Sequence, residues 1–319
     1  MIAISHKTKQ YLLVAAKVLI IAVTFGYIFY KLSSPDSQSL GYFLMSLELT
    51  NHFGNPYILS FLFLLVLSNW FFEILKWKTV VSVIENINFK TAAKQCLASL
   101  TVSLTTPNRI GEYGAKAFFF SSEKRKKILF LNFFSNVAQM FVSCFFGIIG
   151  LIIVYITYEM PIARNNILII VLLTFLLLLL AFFFREKQFF FKGFSINGIL
   201  LQLKKISLKI KGYVIIFALL RYISFSFLFH YLIITFAWPI SLTVSMPLIF
   251  TMYFLVSIVP TFFIFDVVIR GGVAVWLFSF IGVPELIILS TVLAMWLLNF
   301  VLPALFGSFF VLTYQPATK

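Results

Sequence analysis

The chain has 319 residues, of which 61% are hydrophobic, 19% aromatic and only 11% charged, and its formal net charge is +15. A soluble domain of this length carries about a quarter charged residues, so the composition excludes an ordinary water-soluble protein. Apolar runs of roughly 18 residues or more recur, each long enough to cross a hydrocarbon core. We therefore predict an all-α polytopic membrane protein, with one integral membrane domain over 1–319.

Hydropathy predicts about six full transmembrane helices. In chain order they are 11–31, 57–77, 128–157, 166–184, 213–237 and 286–312. The basic start before the first of them resembles a signal peptide, but the apolar region is too long and lacks a clear cleavage site. We therefore expect a retained first span. The predicted spans divide the domain into halves of about 1–160 and 161–319.

The basic residues are concentrated in alternate loops. They precede the first span (Lys7, Lys9), follow the second (Lys76, Lys78, Lys90, Lys94), form the cluster 124–127 and fill the loop 185–211. The intervening loops 32–56, 159–166 and 237–241 hold only Arg164. The positive-inside rule then places the N-terminus and the basic loops in the cytoplasm, with the protein in the inner (plasma) membrane. The positive charge indicates topology and not a nucleic-acid partner.

The basic cytoplasmic loop 185–211 contains an amphipathic pattern. Apolar residues recur every three or four positions among the lysines, namely Ile196, Ile199, Leu203, Ile206 and Ile210. This spacing favours an interfacial helix held by anionic lipid headgroups. The alternative is an ordinary basic loop.

Two segments are broken where a span should be continuous. The first, 97–120, has basic loops on both sides, and its leading "LASLTVSLTT" is only about 15 Å long as a helix. It is predicted to be a re-entrant hairpin whose tip contains Pro107 and Gly111. The second, 242–283, is interrupted by Pro260 and by the pair Gly271 and Gly272. As a hairpin it would enter from the opposite face.

The two broken segments share a pattern. Pro107 is followed by Glu112 and, four residues later, by Lys116. Pro260 is likewise followed by Asp266 and then by Arg270. An acid four residues before a base is the favourable order for a helical ion pair. Discontinuous helices approached from opposite faces are typical of an inverted repeat, and coincidence is the alternative.

Six charged residues fall at predicted membrane depth, where each costs about 2.5 to 3.5 kcal/mol on insertion scales. They are Arg109, Glu112, Lys116, Arg221, Asp266 and Arg270. A polar cavity between the hairpin tips would compensate them, and its excess of bases would attract an anionic group such as a lipid phosphate. The alternative is that the charges neutralise one another as structural pairs or lie at the interface.

Other polar residues in the spans are left out of the predicted site. Pairing with Lys76 explains Glu73, a helix-packing contact explains Asn69, and a packed hydrogen-bonded residue explains His230. Cys96 and Cys144 are far apart and without a metal-ligand pattern, so neither a metal nor a disulfide is predicted. The sequence shows no catalytic or cofactor-binding fingerprint, and no catalytic residues or cofactors are predicted.

Four stretches resemble, in order, the lysylphosphatidylglycerol synthase transmembrane-region family. They are "NWFFEILKWKTVV", "TTPNRIGEYGAKAFFF", "VPTFFIFDVVIRGGVAVWLFSFIGVPE" and "MWLLNFVLPALFGSFF". Pro107, Gly111 and Glu112 match the family's P-x-x-x-G-E segment, whereas Lys116 stands where the family commonly has Arg. This flippase-like family includes the membrane half of the multiple peptide resistance factor. The resemblance implies the lipid-translocating part without the aminoacyl-transferase domain.

Three functions remain open from the sequence. The first is flippase-like translocation of a lipid or lipid-linked anionic substrate, with membrane lipids as partners. The second is a membrane-embedded transferase acting on a lipid-linked sugar, in which Glu112 or Asp266 would act as a base. The third is a non-catalytic subunit beside an envelope-synthesis enzyme, and a homo-oligomer is also compatible with the sequence.

Overall fold

The computed structural model describes residues 55–104, 106, 110–158, 196–236, 238–258 and 266–314, and these residues form helices and their connections, with no strand among them. The helices are α1 Pro56–Val81, α2 Phe89–Leu104, α3 Ile110–Phe118, α4 Arg125–Tyr158, α5 Ile196–Lys205, α6 Leu208–Thr235, α7 Leu242–Ile258, α8 Asp266–Ser279, α9 Glu285–Trp296 and α10 Leu302–Leu312. A π-helical turn, Leu297–Val301, joins α9 to α10.

Four of these segments are long and apolar enough to cross a membrane: α1, α4, α6 and the continuous run Glu285–Leu312. They confirm the long apolar helices predicted at 57–77, 128–157, 213–237 and 286–312, and each begins and ends within five residues of the predicted bounds. The spans predicted at 11–31 and 166–184 lie outside the described residues. Several apolar helices of this length are what a membrane protein requires.

The last span contains a local defect with an identifiable cause. Pro303 has no backbone N–H, so the carbonyl of Asn299 loses its usual partner four residues on, and the helix widens into the π turn there. The turn brings the Asn299 side chain into the core, where Asn69 of α1 donates a hydrogen bond to its Oδ1 over 2.8 Å.

The two broken segments form helix pairs, α2 with α3 and α7 with α8, and the members of each pair pack together. In the first pair the backbone N–H of Gly111 donates to Thr106 Oγ1 over 2.8 Å, and a Cβ at Gly111 would lie 2.9 Å from the carbonyl oxygen of Val102. Gly111 therefore allows the two helices to approach. In the second pair, α8 runs through Gly271 and Gly272, so these glycines lie inside a helix rather than interrupting it.

Each helix pair packs on a long helix from the other half of the chain. Helix α2 packs along α10, and a Cβ on Gly307 would collide with the Leu97 carbonyl oxygen. Helix α7 packs along α4, where a Cβ on Gly150 would lie 2.6 Å from the Pro247 carbonyl oxygen and one on Gly147 would collide with Phe254. Small residues thus allow close backbone contact at both places.

The helix predicted in the basic loop is α5, Ile196–Lys205. Its apolar face is directed into the protein: Ile206, just after the helix, is buried, and Ile199 and Leu203 pack against the cluster that contains Ile128 and Leu131. This face is therefore covered by the start of α4, while the opposite side of the segment is exposed.

Candidate functional site

Three buried polar residues in the second half of α1 lie along one side of the helix. Asn69, Glu73 and Lys76 recur at intervals of four and three residues, which places them one above another, and all three are buried. Helix α6 packs beside this part of α1, and the hydroxyls of Ser68 and Ser224 lie 3.0 Å apart across the contact. A polar seam therefore runs between the two spans.

Glu73 is the centre of a charge cluster on this seam. Its Oε2 lies 2.7 Å from Lys76 Nζ and 3.0 Å from Arg221 NH1 of α6. Its Oε1 lies 4.0 Å from Lys116 Nζ of α3. One buried carboxylate thus compensates cations from three helices, which makes it the residue on which the cluster depends.

Lys116 joins the first helix pair to the cluster. Its ammonium donates to Glu112 Oε1 over 2.7 Å and to Asn132 Oδ1 of α4 over 3.0 Å. The same nitrogen lies 4.3 Å from the centre of the Trp77 ring, and the Trp77 indole N–H donates to Gln95 Oε1 of α2 over 2.7 Å. The acid and base four residues apart on α3 therefore pair as the sequence predicts, and they also reach charges outside their own helix.

Helix α4 supplies a neutral acceptor to two of these cations. Gln139 Oε1 accepts from Lys76 Nζ over 3.3 Å and from Arg221 NH1 over 3.4 Å. Its amide group donates in turn to the carbonyl oxygen of Ala218 over 3.3 Å. This side chain ties α4 to α1 and α6 and holds the two cations beside Glu73.

The cluster lies deep in the helical bundle. Arg221 lies near the middle of α6, roughly 20 Å from either end of that helix, and Glu73 is about 12 Å from the end of α1. Lys76 and Lys116 are closed off, but the side chain of Arg221 is 26% exposed and that of Glu112 is 19% exposed. Arg221 and Glu112 are therefore the members of the cluster that keep some surface outside the packed core.

The charges of the cluster do not cancel. With every group in its ordinary ionised form, Lys76, Lys116 and Arg221 face the two carboxylates of Glu73 and Glu112, which is a formal excess of one positive charge among these five groups. In a low-dielectric interior an uncompensated cation attracts an anion strongly. The arrangement can thus hold a phosphate or carboxylate, with Arg221 offering a planar guanidinium for two hydrogen bonds.

The structure brings together three of the six predicted binding residues: Glu112, Lys116 and Arg221. Arg270 has its guanidinium carbon 5.9 Å from the centre of the Phe300 ring on the π turn. Arg109 and the hairpin residues Pro107 and Pro260 lie outside the described residues, as does the side chain of Asp266.

Sequence reasoning missed the central residue, Glu73. The pairing with Lys76 that seemed to account for it is present, but it is only one of three ion pairs that Glu73 makes. The sequence did contain one sign that Glu73 belongs to a larger polar site. Asn69 lies one turn earlier on the same side of α1 and extends that polar side toward the middle of the span. His230, in contrast, is a packed residue whose Nδ1 lies 2.7 Å from Ser245 Oγ.

No group of three or more potential metal ligands occurs among the residues that the structure describes. The chain matches no protein-family model, no curated protein and no solved structure. The site therefore has to be interpreted from its own chemistry.

Proposed function

We propose that the protein translocates a lipid or lipid-linked anionic substrate across the cytoplasmic membrane in the manner of a flippase. The observation that carries this proposal is the charge cluster centred on Glu73. Five ionisable side chains meet among apolar helices, and cations outnumber carboxylates by one. Charged groups at membrane depth are costly and commonly mark the path of an ion or substrate.

An anionic headgroup fits the excess charge better than a cationic one. A lipid phosphate can accept two hydrogen bonds from the exposed part of Arg221, while its acyl chains remain among the apolar helices. Glu112, the other partly exposed member, would orient Lys116 or contact a positive group of the headgroup. The roles proposed for Arg109, Asp266 and Arg270 are to hold the same headgroup at another stage of its passage.

The arrangement of the helix pairs supports alternating access. We propose six full spans, two re-entrant hairpins formed by α2–α3 and α7–α8, and an inverted repeat that relates the halves. The matched packing of α2 on α10 and of α7 on α4 is the pattern that such a repeat would produce. With the N-terminus in the cytoplasm, the two hairpins would open toward opposite faces in turn.

Leaflet exchange of fluorescent phospholipids tests the proposal. The purified protein is reconstituted into liposomes, and dithionite quenching reports lipid that reaches the outer leaflet. We expect exchange with the parent protein and loss of most of it with Arg221→Gln and with Glu112→Gln. Glu285→Gln is the matched control, because this exposed carboxylate at the start of α9 lies outside the cluster.

The variants must first be shown to insert and to elute as the parent does. Exchange at the parental rate by both cluster variants would contradict the assignment to this site. Absence of exchange by the parent with phosphatidylglycerol, phosphatidylcholine and a polyprenyl phosphate would contradict translocation itself.

A further inference from the structure

A second polar site lies at the basic side of the molecule, away from the cluster centred on Glu73. A cleft of about 700 Å³ opens between the residues that follow α1, the start of α4 and the end of α5. Its floor is apolar, with Phe130, Leu131 and Ile206, and its rim carries lysines from two helices. None of its lining residues belongs to the Glu73 cluster, so the inference stands apart from the proposed function.

The rim has a surplus of positive charge. Lys124 is already paired with Glu85, and Glu123 is the one carboxylate among the described residues that line the cleft. The other lining cations are Lys126, Lys127 and Lys205. Among the residues that the structure describes, no carboxylate lies within ion-pair distance of these three lysines. An anion in the cleft would therefore find three cations to neutralise.

The start of α4 strengthens the attraction. This helix begins at Arg125, and its first turn forms one wall of the cleft through Lys126 and Lys127. The first N–H groups of a helix have no partner within that helix, and they carry the positive end of its dipole. A phosphate near this first turn is therefore favoured by the lysines and by the positive end of the helix dipole.

The surroundings of the cleft are suited to an amphiphile. The apolar face of α5 packs on the protein through Leu203 and Ile206, so the opposite side of this segment faces away from the bundle. Leu200, Leu201 and Leu208 lie there, each at least half exposed. Exposed leucines beside lysines are typical of a segment that lies at the membrane interface. A lipid could place its headgroup in the cleft and its acyl chains beside these leucines.

We propose that this cleft is a binding site for the phosphate-bearing headgroup of an anionic lipid, held at the membrane surface by Lys126, Lys127 and Lys205. The volume falls within the usual range for small-molecule sites, roughly 300 to 1,000 Å³. The bound lipid joins α4 to α5 and so fixes the basic segment on the bundle. Basic pockets beside membrane spans are a known way of holding such headgroups.

Native mass spectrometry of the full-length protein in detergent tests the proposal by counting retained lipids. The probes are phosphatidylglycerol, phosphatidylcholine and inorganic phosphate. The cleft variant carries Lys126→Gln, Lys127→Gln and Lys205→Gln. The matched control carries Lys90→Gln, Lys204→Gln and Lys209→Gln, which remove the same charge from lysines outside the cleft lining. A third variant replaces the three cleft lysines by arginine.

We expect the parent, the control and the arginine variant to retain one phosphatidylglycerol in preference to phosphatidylcholine. The cleft variant should bind phosphatidylglycerol at least about tenfold more weakly, because it loses the three lysines that line the cleft beside the headgroup. Equal weakening by the control and cleft variants would overturn the proposal in favour of a diffuse charge effect. Displacement of the lipid by equimolar inorganic phosphate would overturn it in favour of a simple anion site.

Discussion

The two broken helix pairs share a plan of packing but differ in their chemistry. In each pair a helix of 16 or 17 residues precedes a shorter helix, and the longer member packs on a span of the other half at a glycine. In the first pair, Lys116 reaches carboxylates on α3 and α1. In the second pair, Arg270 lies over the aromatic ring of Phe300.

The difference shows that two helix pairs with similar packing can differ in their chemistry. The ion pairs in the described residues of the bundle interior gather at the first pair, because α1 and α6 bring Glu73 and Arg221 beside it. At the described part of the second pair, the neighbouring core residues are mainly apolar and aromatic. We therefore expect the two pairs to respond differently to the removal of charge and similarly to the loss of close packing.

Among the changes that test this contrast, removal of the Glu73 charge should lower the free energy of unfolding the most. Glu73→Gln leaves Lys76 and Arg221 side by side without the carboxylate between them, so we expect the free energy of unfolding to fall by about 3 kcal/mol. Denaturation of the purified protein in detergent measures this. Adding Arg221→Gln should restore part of the loss. A stability equal to that of the exposed variant Glu285→Gln would contradict the central role of Glu73.

Loss of close packing should affect both pairs alike. Gly147→Ala pushes a methyl group into Phe254 of α7, and Gly307→Ala pushes one into the backbone of α2. We expect each to lower the free energy of unfolding by about 1 to 3 kcal/mol. Gly272→Ala is the control, since a Cβ there meets nothing within 4 Å and should be neutral or stabilising. Free energies of unfolding that differ strongly between Gly147→Ala and Gly307→Ala would contradict the similar packing of the two pairs.

The buried ion pair of α3 should be more strongly coupled than an exposed one. A double-mutant cycle of Glu112→Gln and Lys116→Gln should give a coupling energy of about 1 to 2 kcal/mol. The same cycle for Glu85→Gln and Lys124→Gln should give less than about 1 kcal/mol, because both side chains are more than a third exposed. Thermal unfolding of the four variants of each cycle gives both values. Equal coupling would show that the α3 pair is effectively solvated.

We expect the smallest change in the free energy of unfolding from the contact between Tyr314 and the end of α3. The Tyr314 hydroxyl donates to the carbonyl oxygen of Phe118 over 2.6 Å, and its ring meets Phe119 edge to face. Burial raises the pKa of Tyr314, which moves the loss of its proton still further above neutral pH and leaves the hydroxyl able to donate. Tyr314→Phe keeps the ring contact and should lower the free energy of unfolding by about 1 kcal/mol. Tyr57→Phe, at a side chain 83% exposed, should change nothing measurable.

Much of the fold follows from local pattern, whereas the site does not. The spans α1, α4, α6 and α9–α10 could be predicted because apolar length alone distinguishes them. The pairing of Glu112 with Lys116 could be predicted because it lies within one helix. Glu73 was misjudged because its contact with Arg221 depends on how α1 and α6 pack, which residue spacing does not specify. The helix through Gly271 and Gly272 was missed because packing on α9 can outweigh poor helix propensity.

The crossed packing of α2 on α10 and of α7 on α4 means that neither half of the chain contains its own complete set of neighbours. Helices of each half therefore pack on helices of the other half. The boundary between the halves in sequence, between α4 and α5, therefore does not separate two independently packed groups of helices. Two fragments cut there would each expose a helix face with glycines that packs on the other fragment in the whole protein.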